Sequence, residues 1–138
     1  MNYQLKVQST VNNITLVEAF IDKIFTENEL ESTVYGNVLI AVSEAAINGI
    51  VHGNKSIEHK HIYVNVTINK QNISFSITDE GEGFNFEKLP NPTLPENIEK
   101  LDGRGIFLMQ NLADNVSFDN NGKTVVLDFN LNQTENVG

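Results

Sequence analysis

Hydrophobic and polar positions change period several times along this chain, and each change predicts an element. Tyr3, Leu5 and Val7 alternate with Gln4, Lys6 and Gln8, the signature of a strand with one buried face. From about residue 13 to 27 the period becomes helical, with Ile14, Val17, Phe20, Ile21 and Ile24 forming one apolar stripe. A longer helix is predicted from about Glu31 to Val51, its apolar positions being Val34, Val38, Ala41, Val42, Ala45, Ile47 and Ile50. Gly49 allows close approach on that helix, and His52-Gly53-Asn54 ends it, glycine being the usual stop. Ile62, Val64, Val66 and Ile68 then alternate with Tyr63, Asn65 and Thr67; after Lys70-Gln71-Asn72 the pattern resumes with Ile73, Phe75 and Ile77, which predicts a hairpin. Gly105 to Leu112 reads as a short helix, Asn115 to Phe118 as a strand and Asn121-Gly122 as a tight turn. Val125, Leu127, Phe129 and Leu131 are the inward face of a last strand.

Alternation on one side of every strand implies a sheet with one wet face, and the helices must cover the other. The predicted fold is an α/β two-layer sandwich, its sheet mixed but mainly antiparallel. With 138 residues, 40% of them hydrophobic, residues 1–138 form one domain around one core, and the polar stretch 132–138 is a frayed tail. The net charge of −9, from nine basic and eighteen acidic residues, disfavours nucleic acid or an anionic membrane as the main partner. A basic protein surface can still dock. The absence of cysteine removes disulfides and thiolate zinc sites. The N-terminus lacks an apolar signal core, and no apolar run is expected to approach the ~20 residues of a membrane span. A soluble, cytoplasmic protein is the expectation.

Three short blocks carry the candidate chemistry. In the first, Glu44, Asn48 and His52 follow at i, i+4 and i+8, which places them near one another on one helix face, drifting by ~40° per step. Their neighbours Ala45, Ala46, Ile47, Gly49 and Ile50 are small or apolar, whereas an exposed face usually carries Lys and Glu. A carboxylate and an amide in that setting need partners. In the second block, Asp79 shares parity with Ile73, Phe75 and Ile77 and so points toward the buried face; Gly81 and Gly83 follow. Asp79 is either a turn-initiating acid bonding its own following backbone or a carboxylate satisfied by a purine amino group. The two glycines suit a chain that passes close to a ligand or takes positive φ. The third block, Gly103-Arg104-Gly105, opens the apolar run Ile106-Phe107-Leu108-Met109, where free N–H groups at a helix start attract phosphate. Arg104 either adds a charge-assisted phosphate contact or faces solvent. The preceding stretch, about residues 85 to 102 with Pro90, Pro92 and Pro95, reads as a lid. Together the blocks describe a site for Mg-ATP.

Glu-x-x-x-Asn on a helix, Asp-x-Gly-x-Gly after a strand, a variable lid and Gly-x-Gly at a helix start resemble, in this order, the Bergerat-fold ATPases. The match spans about residues 35 to 127. Within that superfamily, Ser43-Glu44-Ala45 through Asn48, His52-Gly53-Asn54 and Gly103-Arg104-Gly105-Ile106-Phe107-Leu108-Met109 resemble the bacterial anti-sigma factor serine/threonine kinases. The resemblance implies that such a chain phosphorylates a small antagonist protein, binds a sigma factor or similar regulator, and homodimerises. It further implies that Asn48 ligates Mg²⁺, that Glu44 is the general base toward a serine hydroxyl, and that Asp79 bonds the adenine amino group. Gly81 and Gly83 would let the chain pass the base, and Gly103, Arg104 and Gly105 would meet phosphates. Thr124, after Gly122-Lys123, matches the Gly-x-Thr position that supports the adenine site through water. His52 matches a residue common in the family without an assigned task; a histidine at a helix C-terminus is favoured by the dipole alone. The lid departs from the pattern, being short, acidic and proline-containing, with Lys100 the lysine nearest Gly103.

Two other readings remain beside the kinase: a nucleotide-dependent switch that holds a partner without phosphotransfer, and the catalytic domain of a sensor histidine kinase. Retention of Glu44 favours the kinase over the switch. None of His52, His59 and His61 lies on a dimerising helix of the kind a sensor kinase needs.

Overall fold

The computed structural model describes residues 1–81 and 108–131. A strand β1 (Asn2–Gln8) leads through a 3₁₀ turn, Val11–Asn13, into helix α1 (Ile14–Glu27), and helix α2 (Ser32–Asn48) follows. Strands β2 (His61–Ile68) and β3 (Asn72–Thr78) form the predicted hairpin, and β4 (Asn115–Asp119) and β5 (Thr124–Asn130) close the sheet. Its order is β1-β2-β3-β5-β4. Every described pairing is antiparallel, so over these residues the sheet is not mixed. The expected short helix near Gly105 to Leu112 is seen over 108–112; its earlier residues, the lid and the tail 132–138 lie outside the described residues.

Register explains the two layers. Ile73 pairs with Phe129, Phe75 with Leu127 and Ile77 with Val125, so apolar side chains stack on one face. Against that face lie Val38, Ala41, Val42, Ala45 and Ala46 of α2 with Val17, Ile21 and Ile24 of α1, all buried. Phe75 and Phe129 meet edge to face, their centroids 6.1 Å apart. Burying a side chain of this size contributes about 1.5–3 kcal/mol, and β3 is sealed on both sides by neighbours that do the same. Alternate residues, Ser74, Ser76 and Thr78 on β3 and Tyr63 and Asn65 on β2, line the opposite, wetter face.

One expectation needs correcting. Ser32–Gly53, 22 residues, is long and apolar enough to cross a bilayer by length and composition. Val38, Ala41, Val42, Ala45, Ala46 and Ile50 of this stretch are buried in the core while Ile40 is exposed, and the core helix of a folded domain meets the same compositional test.

Candidate functional site

The helix carrying the first block does not end as its sequence suggests. Asn48 (φ −61°, ψ −39°) and Gly49 (φ −64°, ψ −41°) stay right-handed, and the chain widens into a π turn over Gly49–Gly53. Asn54 N–H closes that turn by donating to Gly49 O at 2.7 Å. Gly53 is therefore not a left-handed stop; among the described residues the glycine with positive φ is Gly122, at 89°, in the β4–β5 turn. Wide turns of this kind occur often at functional sites, because they re-aim the residues that follow.

Here the π turn delivers Gly53 against Asp79. A Cβ built on Gly53 would fall on the Asp79 carboxyl group, with Oδ2 at 2.5 Å and Oδ1 at 2.7 Å. A Cβ on Gly81 would overlap the Gly53 carbonyl, and one on Gly49 would stand 2.7 Å from Ile62 Cδ1 and 3.5 Å from Asp79 Cβ. Three glycines thus let the end of the α2 segment, the β3 turn and the acid occupy one small space. The glycine at 81 is needed for contact with protein backbone, a role its spacing alone did not separate from ligand contact.

Of the two roles its sequence allowed, Asp79 takes the turn-initiating one. Gly81 N–H donates to its Oδ1 at 2.8 Å, an Asx turn. Oδ2 carries no protein hydrogen bond among the described residues. Burial pushes the carboxyl above its ordinary value of 3.8, partly offset by the Gly81 N–H and by the positive charges of Lys123 and Lys60. The folded protein therefore binds this proton more tightly than the unfolded chain. The stability that this group contributes falls as pH rises from 3.8 through the raised value, and above it the ionised acid carries the full penalty. A half-buried acceptor kept at such a cost suits a donor that arrives from outside.

Asn48 and Glu44 lie on α2, one turn apart, both half-buried. Among the described residues Asn48 Nδ2 is buried with no hydrogen-bond partner, as is Ser43 Oγ. An amide whose nitrogen is tied to nothing is free to turn its oxygen toward a cation, and Mg²⁺ asks for few protein ligands when phosphates supply the rest. The residue fits that ion. Among the described residues no group of three or more His, Asp or Glu gathers to hold a metal on side chains alone. His52 is exposed on the π turn, whose wider pitch takes it off the straight line drawn through Glu44 and Asn48.

The structure groups Thr124 elsewhere. Its Oγ1 lies 2.9 Å from Thr78 Oγ1 and accepts a hydrogen bond from Asn120 Nδ2 at 2.8 Å. Thr78 and Thr124 are register partners, which puts both on the face away from the helices, whereas Asp79 looks toward α2. It is Lys123, whose carbonyl accepts Asp79 N–H at 3.0 Å, that brings charge to the acid. Gly83, Gly103, Arg104 and Gly105 lie outside the described residues.

Sequence reasoning missed two groups. Asn54 is wholly buried and bonds three separate strand-end segments. Glu80 Oε2 accepts from His61 N–H at 3.0 Å and Tyr63 Oη at 2.9 Å, contacts that hold its carboxyl below the usual range. An acid and an amide beside glycines read locally as solvent-facing turn residues, so no local signal separates them.

The family model of the histidine kinase-like ATPase domain matches residues 7–129. An anti-sigma F factor of Bacillus licheniformis is 34% identical over 99 residues, covering 68% of this chain and 68% of that protein. A serine-protein kinase RsbW of Oceanobacillus iheyensis is 37% identical over 87 residues, covering 59% of this chain and 55% of its own length. A crystal structure of the RsbU and RsbW domains of a Mycobacterium tuberculosis protein superposes with a TM-score of 0.70 at 16% identity, covering 95% of this chain and 32% of that one. That likeness concerns the fold. From the matched span and these relatives, this chain belongs to the histidine kinase-like ATPase domain family and, within it, to the anti-sigma factor serine/threonine kinases.

Proposed function

We propose that this chain is an ATP- and Mg-dependent protein serine/threonine kinase and anti-sigma regulator. It phosphorylates a small antagonist protein and sequesters a sigma factor or similar regulator, in the cytoplasm and as one catalytic domain. The observation that carries the reading is the convergence of Gly49, Gly53 and Gly81 on Asp79 at the end of the helix that bears Glu44 and Asn48. The printed names of its relatives, anti-sigma F factor and serine-protein kinase RsbW, support the choice of reaction. The charge of −9 supports protein partners over nucleic acid.

In this reading Asp79 Oδ2 accepts the adenine amino group while Oδ1 stays in its turn. Asn48 holds Mg²⁺, which when bound offsets charge on the phosphates. Glu44 takes the proton of the incoming serine hydroxyl as the serine oxygen bonds to the γ-phosphorus and the bridge to ADP breaks. Gly83, Gly103 and Gly105, with Arg104, complete the nucleotide contacts.

Asp79→Asn tests the adenine assignment with two opposed effects. Removing a half-buried charge raises the melting temperature of the nucleotide-free protein near neutral pH, and the gain shrinks as pH falls toward 3.8. The same change weakens ATP binding by about tenfold, the loss of one charge-assisted hydrogen bond, and narrows the preference for ATP over GTP. Calorimetric titration with both nucleotides checks it; unchanged ATP affinity would overturn the assignment. Asn48→Ala, in turn, is expected to make nucleotide affinity insensitive to Mg²⁺, and a metal titration indistinguishable from the unaltered protein's would count against the ligand role.

A further inference from the structure

Asp79 is held at both of its peptide groups. On one side its own N–H donates to Lys123 O at 3.0 Å, a contact with β5. On the other, the peptide joining it to Glu80 is held by a side chain, since Glu80 N–H donates to Asn54 Oδ1 at 2.7 Å. Asn54 is 0% exposed and uses all of its amide. Its Nδ2 donates to Ser9 Oγ at 2.7 Å and to His61 O at 2.9 Å, so the donor and acceptor ends are fixed by their partners and cannot be exchanged. One side chain therefore ties the residue after β1, the start of β2 and the residue that follows Asp79. Its backbone N–H, on Gly49 O, closes the π turn that follows Asn48.

We infer that Asn54 is the positioning residue that joins the two halves of the nucleotide site, setting Asp79 on its strand relative to Asn48 on its helix. The inference rests on the adenine role proposed for Asp79. A buried amide with every donor and acceptor engaged has essentially one orientation, because leaving any of those partners unpaired inside the protein carries the full desolvation cost. Nothing in the β-ladder could replace it at Glu80, since the β2–β3 pairing ends at Tyr63 and Thr78. Without Asn54 the N–H between Asp79 and Glu80 loses its partner, and the peptide can turn as far as the Glu80 carboxyl, held by His61 N–H and Tyr63 Oη, allows. Such a turn would carry the carboxylate away from its place against Gly53 and Gly49 of the π turn.

The test compares two truncations of the same network. Asn54→Ala frees the Glu80 N–H, whereas Ser9→Ala removes a buried hydroxyl of the network and leaves the Glu80 contact in place. Both are expected to lower the melting temperature. Only Asn54→Ala is expected to weaken Mg-ATP binding by about tenfold, the worth of one well-placed hydrogen bond, and to narrow the affinity ratio of Mg-ATP to Mg-GTP. Equal nucleotide affinity and ratio in the two variants would overturn the inference. Should Asn54→Ala not fold, hydrogen exchange in the unaltered protein decides. The Glu80 amide, beyond the ladder, must then exchange as slowly as the ladder amides of β3, and rapid exchange overturns the inference. Asp79→Asn separates the two levels. If it weakens ATP and Asn54→Ala does not, this inference alone falls; if it leaves ATP unaffected, the adenine reading falls and takes this inference with it.

Discussion

Glu44→Gln is expected to bind Mg-ATP with nearly unaltered affinity and to lose phosphate transfer to its protein substrate by ~10²–10⁴-fold, the usual worth of a positioned general base. Gln keeps the size and hydrogen-bonding reach of Glu but cannot take a proton. Because Glu44 is only half-buried on the face of α2, the substitution leaves the core of Val38, Val42 and Ala45 undisturbed. Loss of turnover with intact binding is the pattern of an interaction made only in the transition state. The measurement is single-turnover transfer from labelled ATP to the cognate antagonist, alongside an equilibrium ATP titration. Equal transfer by the two proteins would refute the base assignment and leave the site as one that binds nucleotide to hold a partner.

Gly53→Ala is expected to cost the protein both stability and nucleotide. The added methyl group has no free volume, since it would coincide with the Asp79 carboxyl group, itself kept in place by the Gly81 N–H. Either the carboxylate swings off its turn or the end of the π segment backs away from β3, and each route separates the groups proposed to hold adenine. Overpacking of this kind costs about 1–3 kcal/mol, and ATP affinity should fall by at least the roughly tenfold expected for Asp79→Asn. Gly36→Ala is the matched control. It lies exposed in the interior of α2 with nothing within 4 Å of an added Cβ, so it should stabilise the helix by about 0.5–1 kcal/mol and leave ATP affinity unchanged. Thermal melts and nucleotide titrations of the two variants distinguish a local collision from a general intolerance of alanine in the helix. If Gly53→Ala binds ATP as well as Gly36→Ala does, the close approach of the π turn to Asp79 is not needed for the site.

How the glycines were read along the chain measures what local patterns can carry. Periods of two and 3.6 are properties of neighbouring residues, and burial acts on them directly. The alternation of Ile73, Phe75 and Ile77 therefore marked the strand, its inward face and the direction of Asp79 before any packing was known. The same holds for the α1 stripe and for the one-faced sheet that calls for a helical layer. Glu44 and Asn48 were legible as neighbours because four residues of α-helix bring them there whatever the rest of the chain does.

Other features depend on residues far apart in sequence, and no window along the chain contains them. His52-Gly53-Asn54 looked like a helix stop because glycine commonly ends helices. The helix instead widens into a π turn, which carries Asn54 to His61 at the start of β2 and to Glu80 beyond the end of β3. Gly53 and Gly81 are glycines on account of each other and of Asp79, a mutual exclusion visible only once the helix end and the strand end meet. Thr124 matched a motif by spacing, yet the antiparallel register with Thr78 sends its hydroxyl to the sheet's other face and leaves Lys123 nearer the acid. Short-range periodicity thus settled the layers and the candidate groups. Long-range pairing decided which of those groups share a space, because burial and hydrogen-bond satisfaction act on the assembled surface rather than on the linear chain.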